Sequence, residues 1–521
     1  MELAPEFRVA EPAPTVKADR VPWALAGISV MALFLALWIT RSAYPLNPDT
    51  PSYLYFDQLR TVGYPAFLWT VKATTGRVGL AVPIQMTLLA ASLLLLGLSF
   101  HLFVRKASWS IAFQLLLVAN PKQWDVSTAV MSDGLATVCV ALWCAQLLTL
   151  IRKSSFAGFM ILGVTAAAGM MVRPPLAALF LGSAAALLLL DSMSDRWRAL
   201  GVLALAGAGA WALTPAAYYL IRGSAETTSP FARGVLQHTL YCPQPLVARD
   251  ADAALVEQTA QRLQRYIGSA PPDVRSALEH AYSAPVRLGL IMPVIGRRHG
   301  LDAAWKTDPI IARIARDRVA GNPLCYAGSV ANAYFELIMH RTLHSAAQAQ
   351  RVDNFIATHP PLIVRSQPLL SADQGALDKA AVELGVKKRN SDGGSLHWTG
   401  NSSPTLIFLA QLLYGTAATV GLMAWGEMAR AGRASPDRRR LLISIAAMAI
   451  AFHALFGATA IVEFALMRYM VPAWPITCAL LAVAAILVGR PALRPALFAS
   501  GPGLGSDTAP LRPISEFASR S

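Results

Sequence analysis

The sequence predicts an all-α polytopic membrane protein of about ten transmembrane helices, with a large, mainly helical extracytoplasmic segment before the last three spans. Composition is the first indication: 55% of the residues are hydrophobic and only 14% charged, against about 25% charged in a soluble domain. The second is segregation, because the apolar residues fall in runs of roughly 15 to 25, long enough to satisfy their own backbone hydrogen bonds in hydrocarbon. The third is the lack of the alternating segments that build a membrane β-barrel. A soluble globular enzyme is excluded.

Residues 1–20 read as a polar cytoplasmic tail. The run Val21–Thr40 is long enough to span and has no small-residue cleavage site after it, so it reads as a retained anchor. The later runs are Leu80–Val104, Ser110–Ala119, Val130–Ile151, Phe156–Val172, Leu176–Leu190 and Leu200–Ile221. They complete an N-terminal membrane module, 21–221, whose first outer loop is 41–79. Ser110–Ala119 is the shortest of them. Arg173-Pro174-Pro175 divides two runs, since consecutive prolines end a helix. After the polar segment 222–403 come Leu406–Met428, Leu441–Ile461 and Val471–Val488, within a C-terminal membrane part, 404–490. The remainder, 491–521, is rich in Gly, Pro and Ser and reads as a disordered cytoplasmic tail.

Orientation follows from the positive-inside bias. With the N-terminus inside, the inner loops hold Arg105 and Lys106, Arg152 and Lys153, Arg196 and Arg198, and the triplet Arg438, Arg439 and Arg440. The segment 222–403 then lies outside. Within it Ala251–Ile267 and Ile310–Val319 have helical patterns, and Leu324–Met339, carrying Asn332 and Glu336, reads as an amphipathic helix lying on the membrane. The net charge of +15 does not imply nucleic acid, because the basic residues form no stripe with interleaved aromatics. Cys139, Cys144 and Cys478 lie in apolar helices as packing residues. Cys242 and Cys325 fall in the outer segment and can form a disulfide if it faces an oxidising compartment.

The first outer loop breaks the charge rule with Arg41, Arg60, Lys72 and Arg77. A bound anion or lipid headgroups would account for them equally. Here stands Asn47-Pro48-Asp49-Thr50-Pro51-Ser52-Tyr53, followed by Asp57, Arg60 and Gly63-Tyr64-Pro65. Asp49 or Thr50 suits a helix N-cap and Pro51 the first helical position. Asp49 and Asp57 would sit about 12 Å apart along a helix, too far for a carboxylate dyad. Asp125, Asp133, Arg173, Glu463, Arg468 and Tyr469 gather at the same membrane face. Singly each is an interfacial anchor or ion pair; together they suggest an outward-facing cavity.

These motifs resemble the GT-C glycosyltransferases, in particular bacterial relatives of the protein O-mannosyltransferases and of the aminoarabinose transferase that modifies lipid A. The resemblance is carried by Asp49, Tyr53, Arg60 and Gly63-Tyr64-Pro65, by Met131-Ser132-Asp133-Gly134-Leu135, by Val172-Arg173-Pro174, by Asn322-Pro323-Leu324-Cys325-Tyr326 and by Arg468-Tyr469-Met470-Val471-Pro472. It covers the membrane part to about Leu220 and the last span. Thr50 follows Asp49 where the protein mannosyltransferases carry a second acid, and the outer segment has no recognisable acceptor motif. The resemblance implies an inverting hexosyl or pentosyl transferase in the bacterial inner membrane with its active site on the periplasmic face. Such an enzyme moves a sugar from a polyprenyl-phosphate donor to a lipid, glycan or protein acceptor. Asp49 would be the general base. Arg60, Arg173 and Arg468 would hold the phosphate, Asp133 would orient the sugar or an arginine, and Tyr53, Tyr64 and Tyr469 would line the pocket. No metal or other cofactor is required, and a divalent metal is compatible. The alternatives are a lipid or solute transporter or flippase, a glycan polymerase or ligase on another membrane fold, and a membrane scaffold.

Overall fold

The computed structural model describes residues 20–40, 49–57, 60–190, 196–223, 230–240, 242, 250–277, 291–292, 294–301, 304–339, short stretches within 351–384, 404–430, 435–462 and 467–489. Among the described residues every regular element is helical and there is no strand. The membrane part opens with α1 (Val21–Thr40), then the short α2 (Thr50–Leu54) and α3 (Gly63–Thr75) of the first loop. It continues with α4 (Ala81–Val104), α5 (Ala107–Val118), α6 (Pro121–Ser127), α7 (Ser132–Arg152), α8 (Phe156–Val172), α9 (Ala178–Leu189) and α10 (Arg196–Arg222). The segment 222–403 contributes α11 (Pro230–Thr239), α12 (Ala251–Gly268), α13 (Pro272–Ala277), α14 (Asp308–Gly321) and α15 (Pro323–Met339). The chain closes on α16 (Pro404–Arg430), α17 (Pro436–Val462) and α18 (Trp474–Gly489).

Each of the ten apolar runs falls on a helix. Among the described residues six helices are long and apolar enough to cross a membrane: Val21–Trp38, Val78–Val104, Ser132–Arg152, Arg196–Ile221, Pro436–Ile461 and Met470–Gly489. Helix α5 has 12 residues, about 18 Å of rise, less than the hydrocarbon thickness of about 30 Å. Arg173 breaks the chain between α8 and α9 as the prolines require, leaving a tight helical turn at Pro174–Ala177.

Burial sorts the bundle. The apolar stretch of α7 is 78% buried, that of α10 only 17%. Helix α7 is the central post, packed against α4, α8 and α18, while α1 and α10 present Trp23, Trp38, Trp211 and Leu220 outward. Lipid tails are as apolar as leucine, so close packing and buried hydrogen bonds must hold such helices together. Gly182 lets α9 approach α17, since a Cβ there would stand 2.8 Å from Ala451 Cβ. Gly421 does the same for α16 against Ala449. Across α7 and α9, the buried Trp143 indole donates to Ser183 Oγ at 2.9 Å. Gln114 Nε2 ties α5 to Ser29 of α1 at 2.8 Å.

Helices α11, α12 and α14 share a small core of their own, in which Leu236, Val256, Ile295 and Ile311 are fully buried. A disulfide between Cys242 and Cys325 joins the end of α11 to the first turn of α15. Helix α15 corrects an expectation. It does not lie apart on the membrane surface: Ala333, Leu337 and Ile338 are buried in the main bundle core, and Tyr334 hydrogen-bonds His453 inside α17. The apolar side of its amphipathic pattern is met by protein instead of lipid.

Candidate functional site

At the N-terminal end of α7 the loop carrying α2 and α3 folds back onto the bundle. Ser52 and Tyr53 amides bond the Asp49 carbonyl, so Asp49 holds the N-cap position of α2, but its side chain makes no capping bond and Pro51 is the second helical residue. This differs from the expected cap. The carboxylate is committed elsewhere, with Asp49 Oδ1 2.5 Å from Arg60 Nη2. Arg60 comes back to it because the chain reverses at Phe56, which takes φ +50°, a left-handed conformation that costs a non-glycine residue roughly 1–2 kcal/mol.

The guanidinium of Arg60 is gripped from several sides. Its Nε donates to Ser52 Oγ at 2.8 Å, and Ser52 Oγ donates to the Asp49 carbonyl at 2.5 Å. It also lies over the Tyr53 ring, 4.6 Å from the centroid, a cation–π contact. Tyr53 Oη is 2.9 Å from Ser132 Oγ, at the first residue of α7. One residue on, Asp133 forms an ion pair with Arg173, which terminates α8; their side chains are 4% and 10% exposed. Tyr53 packs edge-on against the fully buried Tyr64, with centroids 4.9 Å apart. Burial raises the Tyr53 phenol above its ordinary pKa; Arg60 opposes the rise, and Asp49 and Asp133 add to it. Asp49, Arg60, Tyr53 and Asp133 are therefore electrostatic neighbours.

Small and polar residues fix this arrangement. A Cβ on Gly63 would stand 2.6 Å from the Met171 backbone, so only glycine lets α3 seat against the end of α8. Thr61 Oγ1 donates to the Val172 carbonyl at 3.1 Å, and Thr50 Oγ1 to the Val130 carbonyl at 3.2 Å. Tyr218, fully buried on α10, donates to the Asp57 and Arg60 carbonyls at 2.8 and 2.7 Å. Gln85 of α4 donates to the Ser127 and Ala129 carbonyls at 3.0 and 3.4 Å and so positions the start of α7. Gly134 accommodates that glutamine, since a Cβ there would meet Gln85 Nε2 at 2.5 Å.

Of the residues singled out from sequence, Asp49, Tyr53, Arg60, Tyr64, Asp133 and Arg173 come together. The backbone of Arg468 and Tyr469 lies in the helical turn Met467–Ala473, which packs against α7, and the neighbouring Val471 shares a buried cluster with Tyr53 and Tyr64. The side chains of Arg468 and Tyr469, together with Arg41 and Glu463, lie outside the described residues. Asp125 pairs with Lys122 at 3.2 Å and is half-exposed, apart from the cluster. Lys72 is answered by Glu383 at 2.5 Å, which with the Arg60 pair balances part of the loop's positive excess. Sequence reasoning missed Ser52, Tyr218 and Gln85. The last two were legible only as lone polar groups near the ends of apolar helices. Among the described residues no three His, Cys, Asp or Glu side chains gather as a metal site would need. Comparison with family models, with curated proteins and with solved structures finds no match.

Proposed function

We propose that the chain is a membrane glycosyltransferase of the GT-C kind, crossing the membrane about ten times, with α2, α3 and the outer end of α7 facing the extracytoplasmic side. It would move a sugar from a polyprenyl-phosphate donor to an acceptor at that face. The observation that carries the reading is the pairing of Asp49 with Arg60 at a helix-bundle rim, quarter-exposed on both side chains and braced from beneath by the buried Asp133–Arg173 pair. A lipid-linked donor needs its tail in the bilayer and its phosphate at the interface, beside a guanidinium able to bind it in two-pronged fashion.

In this reading the donor phosphate competes with Asp49 for Arg60. While paired with Arg60, the carboxylate is held against the guanidinium and away from an acceptor. Once Arg60 turns to the phosphate, Asp49 accepts the proton of the acceptor nucleophile. The nucleophile's lone pair then forms a bond to the anomeric carbon, the bond from that carbon to the phosphate oxygen breaks, and polyprenyl phosphate leaves with the electron pair. The anomeric centre inverts. These steps require no metal, and a divalent metal is compatible with them. Tyr53 walls the sugar beside Arg60 with the buried Tyr64 packed behind it, and Asp133 acts through Arg173 and α7 to hold that wall in place.

The test is incubation of the purified chain with radiolabelled polyprenyl-phosphate sugars and cell-envelope extract. Label appearing in an acceptor supports transfer. Label that moves across a sealed vesicle without changing its chemical linkage supports the rival reading of a transporter, which draws on the buried Glu336 and the Tyr334–His453 hydrogen bond within the bundle.

A further inference from the structure

The opposite end of α7 carries a second charged feature. Arg152 closes α7 nineteen residues after Asp133, so the two ends stand about 28 Å apart, close to the hydrocarbon thickness of about 30 Å. There a shallow cleft opens between α4, α7, α17 and α18, lined by Phe103, Arg152, Asp437, Arg440, Leu441 and Ile486. Its lining is about equally polar and apolar, with Phe103, Leu441 and Ile486 beside two guanidinium groups and one carboxylate. Arg152 is half-buried and held over the end of α4 by a long bond of 3.4 Å to the Leu102 carbonyl. Among the described residues it forms no ion pair. Arg440 has only a loose partner in Asp437, at 3.8 Å with the carboxylate 71% exposed. The cleft thus carries a net positive charge at a membrane boundary.

We infer that this cleft binds the headgroup of an anionic phospholipid in the leaflet opposite the candidate active site. Arg152 and Arg440 take the phosphodiester oxygens, and Phe103, Leu441 and Ile486 line the start of the acyl chains. The chemistry favours a lipid over free phosphate, because the apolar half of the lining, beside the guanidinium groups, is useful only to a ligand with a tail. Two guanidinium groups from different helices also make a ligand that braces α7 against α17, the helices forming the core behind the site. The inference rests on the membrane reading of the helices and is independent of any transferase activity.

The test uses the full chain in detergent, titrated with phosphatidylglycerol, with phosphatidylcholine and with inorganic phosphate, and bound lipid counted by native mass spectrometry. Phosphatidylglycerol is expected to occupy one retained site. The variant Arg152→Gln/Arg440→Gln is expected to weaken it by roughly thirtyfold, taking about 1 kcal/mol for each basic residue. The charge-matched control Lys106→Gln/Lys153→Gln, on exposed positions at the same end, is expected to leave it within about twofold. Equal loss in both variants would reduce the cleft to diffuse surface charge and overturn the inference. So would phosphatidylcholine binding as well as phosphatidylglycerol, or inorganic phosphate displacing the lipid at equal concentration. Should the glutamine pair fail to fold, Arg152→Lys/Arg440→Lys keeps the charge and removes the planar fork. Affinity unchanged in that variant counts against a guanidinium site.

Discussion

Arg60 Nη2 stands 2.5 Å from Asp49 Oδ1 while the same guanidinium lies 4.6 Å over the Tyr53 ring. One cation therefore holds the acid that would act as base and the aromatic wall beside it. A group so placed can be withdrawn by a competing anion without leaving either partner buried, because both ion-pair members are about a quarter exposed.

Asp49→Asn is expected to abolish sugar transfer and to leave the fold intact. The carboxylate caps no helix, and a partly exposed ion pair contributes under about 1 kcal/mol. Turnover with labelled donor and the thermal unfolding midpoint check the two halves. Wild-type turnover removes Asp49 from the mechanism.

Arg60→Ala is expected to weaken donor binding by about tenfold to a hundredfold, the range for a charge-assisted hydrogen bond. Arg60→Lys should recover only part of that, since an ammonium keeps the charge and cannot reproduce the contacts to Ser52 and Tyr53 together. Donor titration against both variants decides it, and unchanged affinity in Arg60→Ala would count against a phosphate role.

The buried pair behaves differently. Asp133→Asn leaves the Arg173 charge without its carboxylate in a site where both side chains are at most 10% exposed, and about 3–5 kcal/mol of stability should go with it. Replacing both, as Asp133→Leu/Arg173→Leu, should recover most of that loss, because no unpaired charge remains buried. Thermal unfolding of the single and double variants measures the difference. A double variant no better than the single would show that Arg173 serves other partners more than Asp133.

How far the sequence reaches can be judged from these same residues. The helical membrane class was legible because apolar runs bounded by charge have few other readings. Asp49, Arg60 and Tyr53 were legible as a local motif within one loop. Their junction with Ser132, Asp133 and Arg173 was visible only as a shared membrane face, since the contacts span 40 to 80 positions along the chain. The expected Asp49 cap was a local rule overruled by a nearby cation. Helix α15 misled for a similar reason: an amphipathic pattern shows that one face needs cover, and does not say whether lipid or α17 provides it.

Gly63→Ala tests the seating of α3. The added Cβ would stand 2.6 Å from the Met171 carbonyl carbon and 2.7 Å from its oxygen, both backbone atoms that cannot swing aside. Overpacking of this kind costs about 1–3 kcal/mol, and here the relief is for α3 to lift away from α8, carrying Tyr64 off Tyr53. A lowered unfolding midpoint together with a raised donor KM is expected. A stable protein with unchanged KM would show that the loop tolerates the shift.

His238 gives the packing of α11 on α15 a dependence on pH. It is fully buried on α11, with Nδ1 3.0 Å from Ser329 Oγ of α15. Burial pulls its pKa down from the ordinary 6.5 to about 4, with the Ala460 backbone opposing. The neutral ring is thus favoured in the folded state. An unfolded chain takes up the proton at 6.5 while the folded one resists until about 4, so protons stabilise the unfolded form across that window. Stability from this group is complete above pH 6.5 and is lost as the pH falls toward 4, at most about 3 kcal/mol. His238→Gln removes the titration, so its unfolding midpoint should fall less steeply than the wild type's between those two values. Parallel curves would mean that acid loosens these helices through their carboxylate–arginine pairs, such as Asp250 with Arg313, and not through the histidine.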